Sequence, residues 1–150
     1  MAEFYSELRD TCFKSSNNIS QKPNLIDIFF LAQVLDLSYN KITAIEGLEG
    51  LLITELNLEG NNIRSLNGLT ANPRLTVLNV ANNQITSLAP LLSCVQLHNL
   101  DARGNKINYI RQVEFLEDLE WLKILNLSDN PCHSKQFYRS VTASFFPITA

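Results

Sequence analysis

The sequence predicts an α/β solenoid: a right-handed coil of short repeats, with a parallel β-sheet on its concave side and 3₁₀ or other short helical segments on its convex side. Three observations predict it. First, the stretch Ile53 to Ile63, ITELNLEGNNI, sets apolar residues at Ile53, Leu56, Leu58 and Ile63 around Asn61, and this frame recurs. Leu35, Leu37, Asn40 and Ile42 open the series. Leu75, Leu78, Val80, Asn83 and Ile85 continue it, as do Leu97, Leu100, Ala102, Asn105 and Ile107, and Leu122, Leu125, Leu127 and Asn130 close it. Second, the frame asparagines Asn40, Asn61, Asn83, Asn105 and Asn130 are separated by steps of 21, 22, 22 and 25 residues. Third, after each frame the apolar residues recur at every third position, as in Ile42, Ile45, Leu48, Leu51 and in Ile63, Leu66, Leu69. Three is the 3₁₀ period.

A period in this range with an L-x-x-L-x-L-x-x-N-x-I frame is that of a leucine-rich repeat. Leu56 and Leu58 stand two apart, so a strand points both into the core and turns Glu55, Asn57 and Glu59 outward. Asn61 follows where the chain must turn. Its amide carries both donors and an acceptor for backbone groups that the turn leaves unpaired. One repeat cannot bury its apolar edge alone, but neighbours stacked about 4.8 Å apart can.

The elements follow in order. Residues 1–31 are expected to form an N-terminal helical cap, with Phe4, Leu8 and Cys12 at helical spacing, a loop from Ser15 to Pro23 and an apolar run from Leu25 to Phe30. The alternative is that Asn17-Asn18-Ile19 belongs to a degenerate extra repeat. Residues 32–131 hold five repeats. Gly47, Gly68, Pro73 and Pro90 would interrupt any long convex helix. The fourth spacer is three residues longer, and Arg111 to Trp121 is expected to form an α-helix, with Trp121 assigned to the core or cap. Residues 132–150 are expected to form a helical C-terminal cap through Phe137, Tyr138, Val141, Phe145 and Phe146, stopped by Pro147.

Composition bounds the function. The chain of 150 residues suffices for one domain with a substantial core, and 45% apolar with 18% charged residues is a folded composition. The net charge of −3, from 15 acids and 12 bases, speaks against direct nucleic-acid binding. No apolar run has membrane-spanning length, and the N-terminus lacks a basic-then-apolar export signal, so a cytoplasmic protein without membrane contact is expected. Cys12, Cys94 and Cys132 are too few and too widely spaced for a disulfide framework; Cys94 falls in a core register and reads as a buried thiol. The glycosylation patterns at Asn18 and Asn126 are expected to be idle without export.

At the level of these motifs the chain resembles a known class. The 22-residue step with three-residue convex spacing resembles the short-repeat class typified by the leucine-rich regulatory subunit of protein phosphatase 1. Asn130-Pro131, then Tyr138-Arg139, then Pro147, resembles the C-terminal cap motif of that class. Spliceosomal U2 A-prime, the acidic leucine-rich nuclear phosphoproteins and many ciliary or centrosomal leucine-rich proteins look similar. The family usually continues past the proline into a Leu-x-x-Leu-Asp-like close, whereas this chain ends at Pro147-Ile148-Thr149-Ala150, so a monomeric front domain of a longer protein is expected. The resemblance implies a non-catalytic interaction module in a cytoskeletal, ciliary or centrosomal assembly. The alternative is a regulatory subunit of a phosphatase or of a nuclear ribonucleoprotein, placed in the nucleus.

The partner is expected to be another protein, held on the concave sheet as a helix or an extended segment. Three outward columns can be read. The first is Val34, Glu55, Val77, Asn99 and Ile124; the second is Asp36, Asn57, Asn79, Asp101 and Asn126; the third is Ser38, Glu59, Ala81, Arg103 and Ser128. Tyr39, Asn82 and Asp129 lie beside them on the rim, and Tyr39 is the preferred aromatic anchor. Val34, Val77 and Ile124 make an apolar stripe. Asp36, Glu55 and Glu59 make the first half acidic, and Arg103, Lys106 and Lys123 make the second half basic, which suits a partner with basic residues at one end. Strand preference and solvation are the better account of each residue taken singly; the binding expectation rests on the face as a whole.

Catalysis is not expected. His98 and Asp101 lack an exposed nucleophile, because Cys94 has a core register. Cys132 and His133 lack further metal ligands at useful spacing, and Gly60 and Gly104 stand singly rather than in a phosphate loop. No cofactor and no small-molecule substrate are expected.

Overall fold

The computed structural model describes residues 33–134; the expected N-terminal cap and nearly all of the expected C-terminal cap lie outside the described residues. Five three-residue strands, β1 (Val34–Asp36), β2 (Glu55–Asn57), β3 (Val77–Asn79), β4 (Asn99–Asp101) and β5 (Ile124–Asn126), form one parallel sheet in chain order. The register aligns Leu35, Leu56, Leu78, Leu100 and Leu125 across the sheet. Leu35, Leu56, Leu78 and Leu100 are buried and Leu125 half-buried, as their place on the inward face of a two-residue period requires.

Short 3₁₀ helices occupy Asn67–Ala71, Ala89–Ser93, Ile110–Leu116 and Pro131–Ser134. The first three stack on one another behind the sheet. Pro90 lies in the first turn of its helix, where the missing N–H costs nothing. Gly68 lies inside its helix because the carbonyl of Ile45 in the preceding repeat packs against it, leaving no room for a side chain. The first repeat forms no convex helix. Gly47 and Gly50 take left-handed φ values of 75° and 79° there and divert the chain.

The expected α-helix over Arg111 to Trp121 is instead the seven-residue 3₁₀ helix Ile110–Leu116, followed by turns. The deciding residues are Val113, Leu116 and Leu119, three apart and all buried, so the step of three prevails over the helical step. Trp121 is not in the core: it is 55% exposed and stacks on His98, with ring centroids 5.8 Å apart.

The frame asparagines form an internal ladder. The Asn83 Nδ2 group donates to the carbonyl of Leu58 in the preceding repeat and to those of Val80 and Ala81 in its own, while its Oδ1 accepts from the Ile63 amide. Asn61, Asn105 and Asn130 repeat this pattern, each accepting from the amide two positions beyond the previous ladder asparagine, at Ile42, Ile85 and Ile107. Each ladder amide thus satisfies two successive repeats, which locks their spacing as well as their turns. A second buried column lies nearer the convex side. There the Asn72 amide donates to Leu48 O and the Cys94 thiol to Leu69 O. Burial pushes the Cys94 thiol up to about 11.

Candidate partner-binding face

Parallel pairing places Val34, Glu55, Val77, Asn99 and Ile124 in one row, and Asp36, Asn57, Asn79, Asp101 and Asn126 in the next, as the spacing predicts. The rows differ in chemistry. Every member of the second row uses its side-chain oxygen to accept the backbone amide two residues on, at Ser38, Glu59, Ala81, Arg103 and Ser128. These are Asx turns, and they explain why all five positions are Asp or Asn. The signal was in the sequence, as five Asx residues at one register, but a solvated row predicts the same composition. The first row has no such duty. None of its side chains hydrogen-bonds among the described residues, and Val34 and Ile124 are 63% and 57% exposed.

The third row contains a correction. Ala81 is not outward-facing but fully buried. Arg103, in the next repeat, donates to Glu59 Oε1 in the repeat before (3.1 Å), and this reach passes the register of Ala81. Glu59 also accepts from the Tyr39 hydroxyl (3.1 Å), the Asn79 amide (3.0 Å) and the Asn82 amide (3.2 Å). Its carboxyl is therefore held below the usual range, by the Asn79 amide first and by Arg103 and Tyr39 with it, against the opposing effect of burial. The Tyr39 hydroxyl is held up in turn, chiefly by its bond to Glu59.

Of the three bases expected to make the second half basic, Arg103 is paired with Glu59 and with Asp101 (3.4 Å), while Lys106 and Lys123 are exposed and form no ion pair among the described residues. Asp36 is also held low: burial opposes this, but the Ser38 hydroxyl, the Ser38 amide and the Asn57 side chain outweigh it. His98 and Asp101 are engaged separately, His98 with the Gln96 carbonyl and Trp121, and Asp101 with Arg103.

The rim is set by backbone geometry. Tyr39, Gly60, Asn82, Gly104 and Asp129 each precede a ladder asparagine, and each is left-handed, with φ between 56° and 69°. Glycine and Asx residues adopt this readily, whereas tyrosine does not. Tyr39 is 74% exposed, yet its ring lies against Gly60, where a β-carbon would stand 2.7 Å from Tyr39 Cδ1.

A family model described as "Leucine-rich repeat" matches residues 15–148. The chain is a leucine-rich-repeat protein. It is 34% identical over 137 residues to Protein PAC2 of Saccharomyces cerevisiae, covering 84% of this chain and 26% of that protein. It is 30% identical over 97 residues to mouse cilia- and flagella-associated protein 410, covering 63% of this chain and 39% of the relative. The chain therefore spans well under half of either relative. Among solved structures, a chain of the Drosophila melanogaster SNF/U2A′ complex superposes with a TM-score of 0.65 at 30% identity, covering 75% of this leucine-rich-repeat protein and 67% of that chain. The leucine-rich-repeat fold is an interaction fold, and its members are typically non-catalytic. Among the described residues no helix is long and apolar enough to cross a membrane.

Proposed function

We propose that this leucine-rich-repeat protein is a non-catalytic adaptor that holds a segment of another protein across its concave sheet, on the row Val34, Glu55, Val77, Asn99 and Ile124, with Tyr39 as an aromatic anchor at the rim. The observation that carries the reading is the division of labour between rows. The second row is committed to its own turns, while the first is outward, partly apolar and unbonded among the described residues. The Glu59 network fixes the face before a partner arrives, which lowers the ordering cost of binding. Without the buried Ala81 the three rows and the rim offer roughly 14 to 17 residues, against about 20–30 per side of a standard interface.

The setting is a cytoskeletal, ciliary or centrosomal assembly, a reading supported by the likeness to the cilia- and flagella-associated relative. A second setting is a regulatory subunit of a phosphatase or a nuclear ribonucleoprotein, and its ribonucleoprotein half is supported by the likeness to the U2 small nuclear ribonucleoprotein A′ of Schizosaccharomyces pombe. The 22-residue class, the helical caps at both ends and a place as one monomeric domain of a longer chain belong to the same proposal.

Affinity capture from cell extract tests it, with the wild type, a Val34→Lys/Glu55→Lys/Val77→Lys variant and a convex Leu92→Lys control, all checked for folding. A protein retained by the wild type and control but lost by the concave variant supports the reading. Equal retention by all three would place binding elsewhere.

A further inference from the structure

The lengthened fourth repeat builds a corner that the concave reading leaves unused. Trp121 lies face to face with His98, the interplanar angle being 29°. The His98 Nδ1–H donates to the Gln96 carbonyl (2.7 Å), which fixes the imidazole plane beneath the indole. The His98 carbonyl accepts the amides of both Lys123 and Ile124, so the same residue ties the exposed Ile124 to this corner. A large aromatic residue thus stacks on a hydrogen-bonded imidazole with more than half of its surface in water. That arrangement is costly in solvent and typical of binding anchors.

The segment that carries Trp121 has one charge sign in excess. Glu114, Glu117, Asp118 and Glu120 are all exposed, and the two ion pairs among the described residues use none of them. Arg111 and Lys123 flank them, so the segment from Arg111 to Ile124 carries four acids against two bases. The matching stretches of the two preceding repeats, Asn67 to Leu75 and Ala89 to Leu97, contain no acid at all.

We propose that the His98–Trp121–Ile124 corner is a second docking site, for a basic protein segment that sets an arginine or lysine on the open face of Trp121 and an apolar neighbour on Ile124. The indole face attracts a cation, and the excess of acids in the same segment lowers the cost of bringing one there. An acidic or purely apolar segment would gain only half of this. The site stands apart from the concave reading except for Ile124, which the variants below leave unchanged, so either proposal can fail alone.

Trp121 is the single tryptophan of the chain and reports directly. The probe is an eight-residue peptide of alternating arginine and leucine; the control replaces arginine with glutamate. Titration of the arginine peptide is expected to change Trp121 emission saturably, and the control to leave it unchanged. Glu117→Lys/Asp118→Lys/Glu120→Lys should weaken binding about tenfold or more. The milder Glu117→Gln/Asp118→Asn/Glu120→Gln variant should fall between, and serves if the reversal unfolds the chain. Trp121→Ala, followed by calorimetry, should lose the binding. Equal response to both peptides, or unchanged affinity in the charge variants, would overturn the proposal. Self-association that sedimentation detects and Trp121→Ala abolishes would overturn it too, by making a second copy the occupant.

Discussion

Arg103 and Glu59 meet at 3.1 Å across an entire intervening repeat, and the small buried Ala81 lies at the register between them. The pairing turns three separate turns into one surface, because Glu59 simultaneously holds Tyr39, Asn79 and Asn82. Its carboxyl is depressed, so the stabilisation it gives is fully present above the unfolded carboxyl value of about 4.3 and is lost as pH falls through the lower folded value. Glu59→Gln should therefore lower the melting temperature at neutral pH, and the difference from wild type should shrink as pH falls below the unfolded carboxyl value. A gap of constant size across that fall in pH would remove Glu59 from this role.

The ladder should be far more demanding. Asn83 is buried and bonds two repeats, so Asn83→Ala strands several backbone groups and should cost about 3–5 kcal/mol in chemical denaturation. Asn40 is half-buried, and its amide bonds only Leu37 and Ser38 of its own repeat among the described residues, so Asn40→Ala should cost about 1 kcal/mol.

Two glycines should respond differently to the same change. Gly60→Ala places a β-carbon against the movable Tyr39 ring at a left-handed φ of 69°, a cost of about 1–2 kcal/mol. Gly68→Ala would set one 1.9 Å from the Ile45 carbonyl oxygen, which is backbone, so two repeats must part. That cost should be about 3 kcal/mol or more, measured by the same denaturation.

Cys94 should be chemically silent in the native state. It is fully buried and its thiol is raised to about 11, so little thiolate exists at pH 8. Alkylation followed by peptide mass mapping should modify Cys94 only after denaturation. Rapid native modification would show that the convex side opens.

The repeat frame made the strands, their register, the ladder and the buried cysteine legible, because each depends on spacing alone. What escaped depends on contacts between repeats. The Asx turns of Asp36, Asn57, Asn79, Asp101 and Asn126 look from sequence like a solvated row. The two-residue period turns Ala81 outward, yet it is fully buried where Arg103 reaches past it to Glu59, 44 positions away, and that pairing takes one of the three bases from the expected basic half of the face. Arg111 to Trp121 misled because its charges mimic an amphipathic helix, while Val113, Leu116 and Leu119 obey the step of three. Trp121, expected in the core or cap, stays outside and stacks on His98, a contact between repeats that spacing does not reveal.

The central claim is that a protein partner lies on the first row of the concave sheet. Methyl-labelled NMR of the chain, with and without the captured partner, tests it most directly. The account predicts that the largest shifts fall on the Val34, Val77 and Ile124 methyls. Shifts confined to the convex methyls of Leu92 and Val95, with those three unmoved, would contradict it.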